Sequence, residues 1–204
     1  MTLIASLLPP PNKKALIFDC DGTLADTFPA HYRVFRTIFT PKGIDFPAAF
    51  YAARLGLSRN RLLEAFRLET GAEFDAGYIA ENNAALFVEN IDAVKAVAPV
   101  EALVRHYHGQ LKLGVASGGQ TDIVTATLKA IGLYELFDTV VTFEDTGIGK
   151  PAPDLYIKAC ENLKALPVDA HAYEDTDEGM EAALAAGLSV SDIRPFYSTD
   201  PANW

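Results

Sequence analysis

Lys13-Lys14-Ala15-Leu16-Ile17-Phe18-Asp19-Cys20-Asp21-Gly22-Thr23-Leu24 is the stretch on which the reading of the fold turns. Ala15 to Phe18 form a short apolar run with no polar alternation, the pattern of a strand buried on both faces. The run leads straight into two carboxylates, Asp19 and Asp21, and Gly22-Thr23 then breaks it. In open α/β sheets, ligands collect at the carboxyl ends of strands, beside a topological switch point. Two acids placed there are poorly solvated unless something positive joins them, and oxygen ligands of this kind suit Mg²⁺. Strand alternation sets Asp19 and Asp21 to one side and Cys20 to the other, against the core. The competing reading is an acidic surface turn, which an apolar strand ending in Asp-x-Asp-Gly-Thr disfavours.

The chain has 204 residues, enough for one domain or one domain with an insert. Half of them are hydrophobic and 22% are charged, which predicts an ordinary globular protein with a sizeable core. A net charge of −10 leaves no basic surface to replace counterions and argues against nucleic acid as a partner. It leaves room for an anionic substrate, because a metal or a few cations invert the local field. Cys20 and Cys160 stand in no metal-binding spacing and fit a reduced, cytoplasmic chain. Leu3 to Leu8 is too short and lacks the basic start of a signal peptide, and no run is long enough to span a membrane. Residues 1–12 read as an arm, bound or loose.

Past Leu24 the pattern turns helical. Asp26 or Thr27 is placed to cap a helix running through Phe39, and Pro41-Lys42-Gly43 ends it. Further helices are expected at Pro47–Arg54, Ser58–Glu69 and Asp75–Glu89, with Ser58 as an N-cap. The block 25–96 carries no strand signal and reads as a helical insert. From Pro99 onward helices and strands alternate. Strands are expected at Lys112–Ala116, Val140–Phe143, Ala170–Tyr173 and Leu188–Ile193, with helices between them. That rhythm predicts an α/β fold, a parallel sheet covered on both faces. The tail from Tyr197 to Trp204 has turn chemistry, and its lone Trp reads as surface packing.

The strand ends carry the chemistry. Asp19 and Asp21, Ser117, Lys150 and the pair Glu174-Asp175 all fall where a parallel sheet brings loops to one edge. Each has a bland reading alone: Ser117 as a turn serine, Lys150 as a solvated loop lysine, Asp175 as a helix N-cap. Together they supply acids, a hydroxyl and a cation, a set that matches phosphoryl transfer through an aspartyl phosphate.

Four motifs in order resemble the haloacid dehalogenase-like phosphohydrolases, and within them the β-phosphoglucomutase-like branch with a small helical cap. They are Asp19-Cys20-Asp21-Gly22-Thr23-Leu24, Ser117-Gly118-Gly119, Gly149-Lys150-Pro151-Ala152-Pro153-Asp154 and Glu174-Asp175-Thr176-Asp177-Glu178-Gly179. The resemblance implies a Rossmann-like core formed by residues 1–24 and 97–204, with a cap over residues 25–96. It implies a Mg²⁺-dependent phosphatase acting on a small phosphorylated sugar or polyol. Asp19 would be the nucleophile and Asp21 the general acid and base. Asp19, the Asp21 backbone carbonyl and Asp175 would hold the metal, with Glu174 behind them orienting a metal-bound water. Ser117, Gly118, Gly119 and Lys150 would bind the phosphoryl group. In the cap, His31 and Arg59 match positions that meet substrate, and Arg54 and Arg61 are further candidates.

The departures decide between hydrolysis and its rival. Phe28 stands where many relatives carry Glu, and Leu55 and Asn82 where the mutase carries lysines that hold substrate. Loss of those cations favours hydrolysis over a β-phosphoglucomutase-type transfer. A non-catalytic phospho-ligand-binding protein on the same fold is the third reading. A serine hydrolase built on Ser117 fails, because Val115 occupies the position where the nucleophile elbow needs Gly.

Overall fold

The run Ala15–Phe18 is the central strand, β1, of the computed structural model, which describes residues 4–204. The other strands are β2 (Ala25–Asp26), β3 (Lys95–Ala96), β4 (Lys112–Ala116), β5 (Thr139–Val141), β6 (Ala170–Glu174) and β7 (Ser189–Asp192). Helices are α1 (Phe28–Phe39), α2 (Ala48–Ala52), α3 (Arg59–Thr70), α4 (Ala76–Glu89), α5 (Ala98–Tyr107), α6 (Thr121–Ala130), α7 (Phe143–Thr146), α8 (Asp154–Leu163) and α9 (Asp177–Ala185).

Five strands form one sheet in the order β5-β4-β1-β6-β7, and every neighbouring pair runs parallel. The chain builds outward from β1 to β4 and β5, then crosses back to lay β6 and β7 on the other side. This is the parallel α/β sheet that the alternation predicts and the Rossmann-like core that the resemblance implies. Phe18 stands level with Val115 of β4 and Tyr173 of β6, so the three carboxyl ends finish together. The side chains of β1 divide between two apolar layers. Leu16 and Phe18 enter one with Leu103, Val115 and Leu128; Ala15 and Ile17 enter the other with Leu155, Ala159 and Ala182. Burial on both faces is why the strand reads as an unbroken apolar run. Phe18 stacks on Tyr173 with ring centroids 4.9 Å apart, a pairing worth about 0.5–1.5 kcal/mol beyond the area buried. Cys20 is fully buried in the first layer, and burial pushes its thiol well above the usual range.

The chain divides into two compact units. One holds the sheet and comprises residues up to Asp26 and Lys95–Thr199; the other comprises Thr27–Val94 and Asp200–Trp204. The second is helical, built from α1 to α4 around a cluster of aromatic rings. Phe66 sits at its centre, with centroids 4.8 Å from Phe46, 5.2 Å from Phe50 and 5.5 Å from Phe39. Trp204 is half-buried, 5.6 Å from the Tyr32 ring and 5.4 Å from Tyr51.

Several local readings shift. The strand expected at Val140–Phe143 stops at Val141, because Thr142 and Asp145 form a reciprocal capping box that turns the chain into α7. Block 25–96 is not free of strands: β2 and β3 at its two ends pair antiparallel, Ala25 with Ala96 and Asp26 with Lys95. Two-residue strands leave no periodic signal. Ser58 occupies the N-cap position of α3 and Thr27 that of α1, and neither makes a side-chain cap bond, whereas Asp75 caps α4 at 3.0 Å from the Tyr78 N–H. The arm expected over residues 1–12 is described from Ile4; it is bound at Leu7, which is buried and whose carbonyl accepts from the Tyr173 hydroxyl at 2.8 Å. Its first three residues lie outside the described part. Among the described residues no helix is long and apolar enough to cross a membrane.

Candidate active site

The ladder of β1 continues one residue past the strand: the Asp19 N–H donates to the Tyr173 carbonyl at 3.1 Å. Beside it, the Ser117 N–H donates to the Val141 carbonyl at 2.9 Å, and Glu174 closes β6. Asp19, Ser117 and Glu174 therefore leave one rim of the sheet, each held by backbone pairing. Beyond Asp19 the chain folds back at Gly22, whose φ of +82° suits glycine, and the Leu24 and Ala25 N–H groups both return to the Cys20 carbonyl at 3.0 Å.

Lys150 joins the rim from the loop between α7 and α8. Its Nζ lies 2.5 Å from Asp19 Oδ1 and 2.5 Å from Glu174 Oε1. The side chains of Lys150 and Asp19 are 11% exposed and that of Glu174 is sealed, so this is a buried ion-pair cluster and not a surface bridge. Glu174 is saturated with donors. Oε1 also accepts from the Tyr156 hydroxyl at 2.6 Å, and Oε2 accepts from the Asp175 N–H and the Thr176 hydroxyl, both at 3.2 Å. A Cβ on Gly179 would fall on that carboxylate, so glycine is required there. Asp175 accepts from the Thr23 hydroxyl at 3.0 Å, which ties the loop after β1 to the end of β6. The N-cap of α9 is Thr176 and not Asp175: its Oγ1 accepts from the Gly179 N–H at 3.0 Å. That leaves the Asp175 carboxylate turned to the acidic cluster.

The turn after β4 brings a second group to the rim. Ser117 is buried, and its Oγ accepts from the Gly119 N–H at 3.0 Å. A Cβ on Gly119 would stand 3.2 Å from Ser117 Oγ and 3.4 Å from Asp21 Oδ2, so the serine turn and the second aspartate adjoin. The Gly119 N–H, expected to reach a phosphoryl oxygen, is turned onto the serine.

Electrostatics show what the cluster is short of. Burial raises the Asp19 carboxyl well above its usual range; Lys150 opposes this, while Glu174, Asp175 and Asp21 add to it. Asp175 is pushed up to about 7, by burial first and then by Glu174. For Lys150, burial works against the charge, but Asp19 and Glu174 outweigh it and hold the ammonium well above its ordinary value. One ammonium thus faces Asp19, Glu174 and Asp175, each of which offers one carboxylate oxygen within 4.8 Å of those of the other two. Hard oxygen donors with surplus negative charge fit a divalent cation such as Mg²⁺.

The cap candidates lie in the helical unit. His31, on α1, packs its ring 4.6 Å from Phe87. Arg59 opens α3 half-buried; burial lowers its pKa, and its buried Nε has no hydrogen-bond partner among the described residues. Arg61 is exposed. Arg54 is spent within its own unit, over the Phe50 ring at 3.8 Å and paired with Glu69. Tyr156 and Thr23 escaped the sequence reading. A signal for Tyr156 existed: it sits in the apolar stripe of α8, where a buried hydroxyl demands a partner.

Comparison with known proteins finds similarity along most of the chain. A family model described as haloacid dehalogenase-like hydrolase matches residues 13–187. Fructose-1-phosphate phosphatase YqaB of Escherichia coli is 31% identical over 180 residues, covering 88% of this chain and 95% of that protein. Beta-phosphoglucomutase of Bacillus subtilis is 27% identical over 200 residues, covering 92% and 87%. The crystal structure of CbbY from Rhodobacter sphaeroides in complex with phosphate superposes with a TM-score of 0.74 at 27% identity, covering 88% of this chain and 86% of that one.

Proposed function

The chain belongs to the haloacid dehalogenase-like hydrolases, and from that premise we propose that it is a Mg²⁺-dependent phosphatase of a small phosphorylated sugar or polyol, working through an aspartyl phosphate. The observation that carries the reading is the buried cluster in which Lys150 bridges Asp19 and Glu174 beside Asp175. Sugar phosphates are the favoured class because the Escherichia coli relative is named for fructose 1-phosphate.

In this reading the Asp19 carboxylate attacks phosphorus. A bond forms between its oxygen and phosphorus as the ester P–O bond breaks, and Asp21 gives its proton to the departing oxygen. Water then attacks the aspartyl phosphate, Asp21 takes the proton back, and phosphate leaves Asp19. Lys150, already 2.5 Å from Asp19, is in reach of the phosphoryl oxygens and restrains the nucleophile. Because Ser117 Oγ already accepts from Gly119, its hydroxyl proton is available to a phosphoryl oxygen, alongside the Gly118 N–H. Asp19, Asp175 and the Asp21 backbone carbonyl would hold Mg²⁺, which when bound neutralises phosphoryl charge and orients the ester. Glu174, occupied by Lys150, Tyr156 and Thr176, orients its neighbours. Residues 25–96 serve as the helical cap of the branch, and substrate choice is assigned there, with His31 and Arg59 as the side chains offered for it.

The test is a panel of phosphorylated metabolites, fructose 1-phosphate and glucose 1-phosphate among them, assayed for Mg²⁺-dependent release of phosphate. Asp19→Asn is expected to lose about 10³-fold or more in rate while remaining folded. Equal rates in the two proteins would remove the mechanism. The likeness to β-phosphoglucomutase keeps a second outcome in view: glucose 1-phosphate converted to an isomeric sugar phosphate with a bisphosphate primer, without free phosphate, would make the chain a mutase.

A further inference from the structure

We infer that Tyr156 is a positioning residue for this chemistry: its hydroxyl, acting through Glu174, fixes where the Lys150 ammonium stands. The inference rests on the phosphatase reading above and adds to it a residue outside the motifs that carry the resemblance.

Tyr156 is wholly buried on α8, in an apolar layer that includes Leu155, Ala159, Cys160 and Leu163 of its own helix and Ile17 of β1. Packing alone asks only for the ring, and phenylalanine would supply it. A hydroxyl carried into such a layer costs free energy unless it finds a partner. The partner here is Glu174 Oε1 at 2.6 Å, the same oxygen that Lys150 Nζ approaches at 2.5 Å. The two donors therefore share one oxygen. Lys150 in turn divides itself between Glu174 and Asp19, each at 2.5 Å. Whatever fraction of the Oε1 charge the tyrosine satisfies is not exerted on the lysine.

The surroundings give Glu174 little freedom to answer a change by rotating. Oε2 is held by the Asp175 N–H and the Thr176 hydroxyl, and Gly179 leaves room for the carboxylate but for nothing more. Lys150 is the mobile member, on a flexible stem whose ammonium also lies 5.3 Å from the Tyr156 ring centroid. Removing the hydroxyl and keeping the ring leaves Oε1 with a lone pair that only Lys150 can satisfy. The ammonium then moves toward Glu174 and away from Asp19, where the phosphoryl group is transferred. Displacements well under 1 Å matter at this distance, because stabilisation of the transferring group depends on placement.

The experiment compares wild type, Tyr156→Phe, Lys150→Gln and the double variant. The substrate is p-nitrophenyl phosphate at saturating Mg²⁺, with thermal unfolding recorded for each protein. Tyr156→Phe is expected to lower kcat about tenfold and change KM less than about twofold, because the misplaced ammonium acts on the transition state. Its unfolding midpoint is expected to stay within a few degrees. In the Lys150→Gln background the same change is expected to do almost nothing, since the group it positions is gone. Losses that multiply in the double variant would show that the hydroxyl acts independently of Lys150 and overturn the inference. So would an unchanged kcat in Tyr156→Phe, and so would loss of its folded state, which would make the hydroxyl a support of the core. Asp19→Asn in the same assay separates the two readings: full activity there removes the phosphatase mechanism itself, whereas its loss beside an unaffected Tyr156→Phe removes the role of Tyr156 alone.

Discussion

The carboxyl rim of the sheet and the interior of the helical unit are both buried, and they are held by opposite means. At the rim, Asp19, Lys150, Glu174, Tyr156 and Thr176 hold one another through directional bonds to ionised groups, each with its angle and distance set. In the helical unit, Phe39, Phe46, Phe50 and Phe66 hold one another by contact, with interplanar angles scattered from 26° to 70°. Charged hydrogen bonds fail if a partner moves by an ångström, whereas rings exchange one packing for another at small cost. The chemistry is accordingly assigned where geometry is stiffest. The arginines of the helical unit stay largely at its surface, as in the Arg33 pair with Asp92 at 3.2 Å.

The comparison breaks most readily at Phe66. Truncating this fully buried ring to Ala is expected to cost about 3–5 kcal/mol in urea unfolding. A loss under about 1 kcal/mol would mean that the helical unit does not rest on its ring cluster. His171 sharpens the contrast, because it is a buried polar group on β6 away from the rim, bonded to Ser189 Oγ at 2.8 Å and Ser191 Oγ at 2.9 Å. Burial first, and then the Lys13 charge, lower its pKa from 6.5 to about 4. Between those values the unfolded chain binds a proton that the native chain does not. Its contribution to stability is therefore complete above pH 6.5 and is lost as pH falls toward 4, by on the order of 3 kcal/mol at most. Unfolding midpoints at pH 7 and pH 4.5 should lie further apart for wild type than for His171→Gln; equal separations would mean the imidazole titrates freely. The smallest effect belongs to Arg33→Ala, whose exposed pair with Asp92 should contribute less than about 1 kcal/mol and be screened away by salt. A larger loss in the same unfolding assay would show that surface charge does more for this unit than its rings suggest.

Legibility in the sequence followed the same division. β1 announces itself because burial on both faces makes it apolar throughout, and β4 and β6 do so by short, mostly buried runs; β4 covers Lys112–Ala116 as expected. The approach of Asp19, Lys150 and Glu174 follows from parallel strands ending at one rim. The apolar stripe of α8 marks Tyr156 as a buried hydroxyl in want of a partner, but which partner it meets depends on how α8 is rotated over the sheet. The tie from Thr23 to Asp175 spans 152 residues and leaves no local mark. β2 and β3 are too short for any period. In the helical unit the helices were readable from their caps and glycine stops, among them Gly71 with φ +68°. The aim of Arg54 was not, since it depends on Glu69 fifteen positions away.

Trp204 is the only tryptophan of the chain, and it lies against Tyr32 of α1 and Tyr51 of α2. Its emission is thus a spectroscopic probe already installed at one locale, excited directly or by transfer from the two phenols. Followed alongside circular dichroism, which sums every helix and strand, that fluorescence can separate melting around α1 and α2 from the collapse of the whole, with no label attached.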